Sequence, residues 1–384
     1  MVQRAGCGEV RSSGFAFLTP HANRRTPHHS HMPPRRRKRL DPAVFQLPVE
    51  QIKQGFYTDT YFVRAREIIR REKNSSSVLM QFTAKNSGWL GGVDEAIALL
   101  KLCSDDWNAL TVNALYEGDF YDDWDTVLTV EGPYEAFGHL ETLCVGALTR
   151  RTKVCTNARL ITNVARAKPV LFFGARDDVL WTQPGDGYAA LAGGVKLVST
   201  DAQASLFAGK SVGTIPHALI AACGGDTVKA TKRFAELFPD VDVIALVDYD
   251  NDCVKTSIEV AQALEGRLYG VRLDTAENVV DTSIVPLMGS FRPSGVNAPL
   301  VWNVRNALDT EGFGEVKIVV SGGFDIARIT AFEEEGVPVD AYGVGTALFD
   351  GRFDFTADIV MVNGKPQSKV GRRLHENSRL ERVK

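Results

Sequence analysis

The second half of the chain alternates short apolar runs with segments of helical period. Seven such runs follow Pro169, namely VLFF, VKLVS, SVGT, DVIALVD, YGVRLD, VKIVVSG and VDAYGVG. Short β-branched runs separated by helices are typical of parallel strands in βα units. The pattern predicts an α/β barrel or an open parallel sheet. A doubly wound sheet remains the alternative, although no G-x-G-x-x-G sequence follows the first run.

The pattern before Pro169 differs and predicts an α+β lobe. SVLMQFTAK and VLTVEGPY predict strands, VDEAIALLKLC predicts a helix between them, and residues 136–167 have the period of a long helix. TDTYFVRAREIIRRE predicts a further helix that starts at a Thr-Asp cap. Its apolar positions fall at helical spacing beneath an arginine-rich outer face; they are Tyr61, Ala65, Ile68 and Ile69.

Composition bounds the class of protein. Apolar residues make up 44% of the 384 positions, charged residues make up 24%, and the net charge is -3, as in ordinary globular proteins. Such a charge gives no argument for nucleic acid as a partner. Six cysteines without a C-x-x-C pair predict neither a zinc cluster nor a disulfide framework. No apolar run approaches the length of about 20 residues that crosses a bilayer, and the N-terminus lacks an apolar signal region, which predicts a cytoplasmic protein without membrane contacts.

Residues 1–41 form a separate compositional segment. RRTPHHSHMPPRRRKRL combines arginines, prolines and histidines without any apolar period. We expect a disordered basic tail. Nucleic-acid binding and a targeting role are the functional alternatives, and Met32 is an alternative start of the protein.

Polar residues follow several of the predicted barrel strands. They are Arg176, Thr214, His217, Asp248, Arg272 and Asp274. The last two runs end in glycine turns, Ser321-Gly322-Gly323 and Gly343-Val344-Gly345-Thr346. Parallel α/β barrels carry their active sites at the ends of their strands, and paired glycine loops after the last strands are a recurring phosphate site. This mixture of backbone N–H groups, cations and carboxylates suits a phosphorylated sugar.

Each of these residues also has a simpler explanation. The glycine turns would serve as tight corners between strand and helix, and Asp248 would be a helix N-cap. Arg176 stands next to Asp177 and Asp178, which suits a surface ion pair. His217 would be a capping or core histidine. His139 falls within a helical pattern, where we expect a packing role.

Seven motifs in register carry a family resemblance. TDTYF, LETLCVGALTRRTKVCTNA, FFGAR, GTIPHAL, LVDYD, VSGGFD and GVGTAL together resemble nicotinate phosphoribosyltransferase, from about residue 45 to the end. The resemblance implies the type II phosphoribosyltransferase fold: an N-terminal α+β lobe over residues 42–168, an irregular seven-stranded α/β barrel over 169–355, and a C-terminal segment, 356–384, that returns to the lobe. It also implies a homodimer, or a multiple of dimers, with active sites shared between subunits.

The resemblance implies a reaction and site residues. Nicotinate would attack 5-phosphoribosyl-1-pyrophosphate to give nicotinate mononucleotide and pyrophosphate, with Mg²⁺ on the diphosphate and ATP hydrolysis coupled through phosphorylated His217. Asp248 would accept from the ribose hydroxyls, Arg176 would bind the nicotinate carboxylate, and Tyr61 of the neighbouring subunit would stack on the pyridine. Further substrate-binding residues would be Arg159, Thr214, Arg272 and Asp274, and the 5-phosphate would lie on Ser321, Gly322, Gly323, Gly343, Gly345 and Thr346.

The chain also departs from the family pattern. Asp177 follows Arg176 where the family often has a second arginine, and LVDYDND replaces the commoner L-V-D-T. The C-terminal segment has no cysteine, so we predict no structural zinc. Three alternatives stay open: a quinolinate phosphoribosyltransferase, an enzyme that accepts nicotinamide, and a noncatalytic phosphoribosyl-binding regulator.

Overall fold

The computed structural model of the chain describes residues 38–207, 209 and 211–384. Most of the predicted tail, residues 1–37, lies outside the described residues. Residues Arg39–Lys384 form one compact unit. None of the helices in the described ranges is long and apolar enough to span a membrane.

The N-terminal lobe contains five helices and five strands in its described part. They are α1 (Val49–Lys53), α2 (Thr60–Arg71), β1 (Ser77–Ala84), β2 (Gly88–Trp89), α3 (Val93–Cys103), β3 (Thr111–Ala114), β4 (Phe120–Tyr121), β5 (Thr126–Pro133), α4 (Tyr134–Phe137) and α5 (Glu141–Val164).

The barrel region and the C-terminal segment supply the remaining elements. They are β6 (Val170–Phe172), α6 (Gln183–Ala192), β7 (Leu197–Val198), α7 (Asp201–Ala204), α8 (His217–Ala222), α9 (Thr227–Leu237), β8 (Val243–Leu246), α10 (Cys253–Leu264), β9 (Leu268–Leu273), α11 (Ala298–Thr310), β10 (Lys317–Val320), α12 (Ile326–Glu334), β11 (Ala341–Val344), β12 (Phe355–Val362), β13 (Lys365–Pro366) and β14 (Glu381–Arg382).

An antiparallel sheet organises the N-terminal lobe, in the order β13-β12-β1-β5-β3-β14. β1 lies in its centre, where Met80 faces Val130 of β5 and Phe82 faces Ala357 of β12. Alternating apolar side chains from β1, β3 and β5 pack with α3 in one buried core. The strands β12, β13 and β14 come from the end of the chain, so the C-terminal segment is part of this sheet.

Helix α2 agrees with the prediction only in part. Its buried residue is Arg66, which is 6% exposed and donates from Nη2 to the carbonyl oxygen of Lys53 at 2.9 Å. Tyr61 and Ile68, which we expected to face the core, are 62% and 56% exposed. Ala65 and Ile69 are half-buried, as we expected, and the other arginines of the helix are exposed, so Arg66 alone turns inward, towards the Lys53 carbonyl.

The parallel sheet of the barrel region confirms the predicted α/β fold class. Its six strands have the order β7-β6-β11-β10-β9-β8. The seventh predicted run, SVGT, forms no regular strand but lies between the two edges: Val212 donates to Val198 at 2.8 Å and Ile215 donates to Ile244 at 3.3 Å. Gly213 and Pro216 explain the irregularity, since glycine weakens a strand and proline has no N–H for a ladder.

Candidate active site

A cavity of about 680 Å³ lies at the carboxyl ends of the parallel strands. Most of the residues that the sequence singled out line it; they are Arg176, Thr214, His217, Arg272, Asp274, Ser321, Gly322, Gly323, Gly343, Gly345 and Thr346. They come from the last residues of β9 and β11, from the loops after β6, β9, β10 and β11, and from the irregular segment that leads into α8 and the first residue of that helix. The topology brings them together because the ends of neighbouring parallel strands meet at one edge of a barrel.

The first glycine turn, Ser321-Gly322-Gly323, links β10 to α12. Gly322 and Gly323 have φ angles of +86° and +71°, in the left-handed region that favours glycine. A Cβ atom on Gly323 would also lie 2.3 Å from Oε1 of Glu277. α12 begins at Ile326, with the Asp325 side chain accepting from the N–H of Arg328.

The second glycine turn, Gly343-Val344-Gly345-Thr346, needs its glycines because neighbouring side chains pack closely against them, and not because of a positive φ angle. A Cβ atom on Gly343 would lie 2.5 Å from the Phe173 ring, and one on Gly345 would lie 3.1 Å from Oδ2 of Asp177. Thr346 begins a short 3-10 turn, Thr346–Phe349. Both turns therefore require glycine, and their glycines line the cavity without side chains of their own, as suits a phosphate site.

Arg272 and Asp274 form a hydrogen-bonded group beneath the first glycine turn. Arg272 donates to Oγ1 of Thr214 at 2.6 Å and to Oδ2 of Asp274 at 2.9 Å. Ser321 donates to the other carboxylate oxygen of Asp274 at 2.7 Å. The guanidinium also lies 5.4 Å from the centroid of the Phe173 ring. These contacts hold both side chains at the cavity floor, and the Nε atom of Arg272 is buried there without a hydrogen-bond partner among the described residues.

His217 is the first residue of α8 and faces the cavity mouth. Its Nε2 atom lies 3.1 Å from Oδ1 of Asp248, which follows β8. Asp248 does not line the cavity, and its side chain is 7% exposed against 46% for His217. Burial raises the pKa of Asp248, and the neighbouring His217 counteracts this shift. Asp248 thus hydrogen-bonds to the histidine, and its contact with the ribose hydroxyls stays a prediction.

Arg176 ends the 3-10 turn Gly174–Arg176 after β6 and is exposed at the cavity mouth. Neither neighbouring carboxylate pairs with it in the described part of the chain. Asp177 accepts from the hydroxyl of Thr346 at 3.4 Å, and Asp178 pairs with Arg150. The surface ion pair considered for Arg176 is therefore absent among these residues, which leaves the guanidinium available to a ligand.

Two predicted site residues lie elsewhere in this chain. Tyr61 is exposed on α2 of the N-terminal lobe and does not line the cavity. Arg159, on α5, donates to the carbonyl oxygen of Ala192 at 2.9 Å and is also not a lining residue. His139 is fully buried and bonded to the Cys103 carbonyl at 3.3 Å, which confirms its packing role.

The cavity also contains carboxylates that we did not single out. Asp177, Asp325 and Asp350 line it together with Asp274. The sequence could have predicted two of them from their positions. Asp325 follows the first glycine turn, and Asp350 follows the second by a few residues. The aromatic lining residue Phe173 directly precedes Gly174 and was hidden within an apolar run.

Comparison with known proteins agrees with this geometry. A family model described as quinolinate phosphoribosyl transferase, N-terminal domain, matches residues 59–152. The chain is 29% identical to nicotinate phosphoribosyltransferase of Bacillus subtilis over 245 residues, covering 61% of this chain and 45% of that protein. It thus spans about half the length of the curated relatives it matches.

Solved structures match a larger share of the chain than the curated relatives do. Nicotinate-nucleotide pyrophosphorylase from Pyrococcus furiosus has a TM-score of 0.74 and 34% identity, covering 88% of this chain and 85% of that one. Human nicotinic acid phosphoribosyltransferase has a TM-score of 0.66 at 16% identity, covering 82% of this chain and 77% of that one, and so shares the fold. The protein therefore has the type II phosphoribosyltransferase fold and belongs to the same family as the nicotinate-nucleotide pyrophosphorylase from Pyrococcus furiosus.

Proposed function

We propose that the protein transfers the phosphoribosyl group of 5-phosphoribosyl-1-pyrophosphate to nicotinate, giving nicotinate mononucleotide and pyrophosphate in NAD biosynthesis. The observation that carries the proposal is that both glycine turns, Arg176 and His217 line one cavity. Relatives of this chain bear the name of this enzyme.

The chemistry of the transfer suits the lining residues. Departure of pyrophosphate develops positive charge on the ribose ring, which nearby carboxylates stabilise. Asp274 is held at the cavity floor by Arg272 and Ser321, so its position is fixed before substrate binds. The ring nitrogen of nicotinate is already a nucleophile and needs no general base, so the transfer itself requires no proton-transfer role of the lining residues.

The charges of the cavity fit a substrate that brings a divalent cation. Four carboxylates line it, and they are Asp177, Asp274, Asp325 and Asp350. A bare diphosphate would be repelled by these groups, whereas hard oxygen ligands of this type suit Mg²⁺. Mg²⁺ on the diphosphate would neutralise the leaving group. The carboxylates would then orient the complex through the metal's shell of oxygen ligands.

Nicotinate is favoured over quinolinate by the cations that this chain offers. Arg176 is available at the mouth, whereas Arg272 is already bonded to Thr214 and Asp274. One available guanidinium matches one carboxylate. Quinolinate has two carboxylates and remains the second candidate, since the matching family model is that of a quinolinate phosphoribosyl transferase domain.

ATP coupling through His217 is the finer part of the proposal. The carboxylate of Asp248 holds Nε2 of the imidazole, so Nε2 carries the proton and Nδ1 keeps its lone pair. Nδ1 would accept the γ-phosphoryl group of ATP while ADP leaves. Water would later remove the phosphoryl group and regenerate the imidazole. The phosphorylated side chain would add negative charge at the mouth and bind Mg²⁺ with the substrate diphosphate.

A homodimer with shared sites is part of the same proposal. The outer face of the segment around α1 and α2 exposes large apolar side chains, namely Phe56, Tyr57, Tyr61 and Ile68. Such a patch is typical of a protein–protein interface. In a dimer, Tyr61 would reach the partner's cavity and stack on the pyridine.

The test is product formation with each pyridine substrate. The protein is incubated with phosphoribosyl pyrophosphate, Mg²⁺ and nicotinate, nicotinamide or quinolinate, with and without ATP, and mononucleotides are identified by mass spectrometry. We expect nicotinate mononucleotide, with turnover stimulated by ATP. Product from quinolinate with release of CO₂ would establish the second candidate, and absence of any mononucleotide would refute both.

A further inference from the structure

Arg328, in the first turn of α12, reaches back to the first glycine turn. Its Nη1 atom donates to the carbonyl oxygen of Gly322 at 2.6 Å, and its Nη2 atom donates to the carbonyl oxygen of Val296. The guanidinium lies 4.2 Å from the centroid of the Phe324 ring. One side chain therefore joins the first glycine turn to the loop that precedes α11.

Arg328 lies on the side of this turn that is away from the active-site cavity. It lines a neighbouring cleft of about 460 Å³ and not the active-site cavity, whereas Gly322 lines the active-site cavity and Gly323 lines both. In a planar trans peptide the carbonyl and the following N–H point in opposite directions. A Gly322 carbonyl that is held by Arg328 therefore directs the N–H of Gly323 towards the cavity.

We propose that Arg328 is a positioning residue for the phosphate group of the sugar substrate. It fixes the Gly322–Gly323 peptide so that the Gly323 N–H is aimed at the phosphate before binding. The inference rests on the proposed function. Fixing this peptide matters because two consecutive glycines in the left-handed region have wide conformational freedom, and ordering them on binding would cost affinity.

Arg292 supplies a matched comparison in the same cleft. It is exposed and hydrogen-bonds to the carbonyl oxygen of Glu277 at 3.3 Å, with no contact to the first glycine turn among the described residues. Removing either arginine changes the net charge equally. Only removal of Arg328 frees the Gly322 carbonyl, so the pair separates positioning from general positive potential.

The experiment measures binding of ribose 5-phosphate by calorimetry, without nicotinate, to the full chain and to Arg328→Met, Arg328→Lys and Arg292→Met. We expect Arg328→Met to weaken binding about tenfold, the effect of one misplaced charge-assisted contact, and Arg292→Met to stay within about twofold. Lysine keeps the charge but has one nitrogen in place of the two Nη atoms that hold the two carbonyls, so the affinity of Arg328→Lys should fall between those of the native protein and Arg328→Met. In turnover, Arg328→Met should raise the KM for phosphoribosyl pyrophosphate and leave the KM for nicotinate unchanged.

Equal weakening by Arg328→Met and Arg292→Met would overturn the inference, as would a folded Arg328→Met with unchanged affinity. If Arg328→Met does not fold, Arg328→Lys decides, and unchanged affinity of that variant refutes the role. A native chain that binds ribose 5-phosphate but forms no mononucleotide refutes the proposed function and leaves the test of Arg328 intact. A native chain that binds no sugar phosphate overturns both.

Discussion

The Nε2 atom of His217 lies 3.1 Å from Oδ1 and 3.2 Å from Oδ2 of Asp248, so one buried carboxylate spans one imidazole N–H. This pairing orients the ring and fixes its tautomer, because a carboxylate can only accept at that position. It also assigns Asp248 to the histidine, since both of its oxygens face Nε2. The other ring nitrogen of His217, Nδ1, is therefore the one that does not contact Asp248, and it is the nitrogen that we propose as the nucleophile.

We predict that His217→Gln abolishes ATP hydrolysis and ATP stimulation while a slow ATP-independent transfer remains. The glycine turns and Arg176 form no hydrogen bond with the imidazole among the described residues, so both substrates should still bind and react. Coupled assays of ADP and mononucleotide release check this, and mass spectrometry of the native protein at neutral pH should find a labile phosphate on the peptide containing His217. His139→Gln is the control, since His139 lies in the N-terminal lobe. A His217→Gln protein that still hydrolyses ATP in step with transfer would contradict the assignment.

We predict that Gly323→Ala raises the KM for phosphoribosyl pyrophosphate by about tenfold or more, since a Cβ atom disfavours the backbone conformation that directs the Gly323 N–H towards the phosphate. The φ angle of +71° adds a stability cost of about 1–2 kcal/mol for any residue with a Cβ. Glu277 is exposed and can move away from the new methyl group, so the variant should fold.

Gly336→Ala is the matched control for Gly323→Ala. Gly336 has a φ of +66°, and a Cβ atom there would meet nothing within 4 Å. It should show a similar loss in urea unfolding with unchanged kinetics. Unchanged substrate affinity in Gly323→Ala would remove the first glycine turn from the phosphate site.

The glycine turns and the strand ends were predictable from the sequence because their signals are local. A β-branched run followed by glycines fixes both a strand end and an uncovered backbone, and the barrel topology then brings such ends together. The face of α2 was not predictable in this way. Its arginines and its apolar residues both follow helical spacing, and only the tertiary position of the Lys53 carbonyl decides that Arg66 turns inward.

The pairing of His217 with Asp248 also depends on tertiary structure. The two residues are 31 positions apart, and the sequence places each at a strand or helix end without saying which end faces which. The family resemblance implies Arg159 as a substrate-binding residue, and in the structure its side chain donates to the carbonyl of Ala192. Residue type and position therefore predict which side chains line the cavity. They do not predict which residues these side chains hydrogen-bond to.

Stability should fall at acidic pH in part through His139. Burial lowers the pKa of His139 to about 4, from its ordinary value near 6.5. Between these pH values the unfolded chain binds a proton that the folded chain does not, so the stabilising contribution is complete above pH 6.5 and is lost as the pH falls towards 4. The full contribution is about 3 kcal/mol.

Urea unfolding of the native protein and of His139→Gln between pH 4 and 7.5 measures this contribution. Glutamine is buried without titrating, so the variant should lose less stability than the native protein on acidification. If the free energies of unfolding of the two proteins fall in parallel as the pH is lowered, groups other than His139 cause the loss of stability in acid. Activity at neutral pH should not differ, because His139 does not line the cavity.

We predict that Arg176→Gln raises the KM for nicotinate about 10- to 100-fold, the range expected for loss of one hydrogen bond between charged groups. Turnover of nicotinamide should change little, because an amide gains less from the guanidinium, so discrimination between the two acceptors should narrow. Arg233→Gln is the control: Arg233 is an exposed arginine of α9 that pairs with Glu236 outside the cavity. Steady-state kinetics with both acceptors give the comparison. If the preference for nicotinate survives in Arg176→Gln while Arg233→Gln behaves as the native protein does, the carboxylate is bound by another cation, and Arg272 is the one to replace next because it is the other arginine that lines the described cavity.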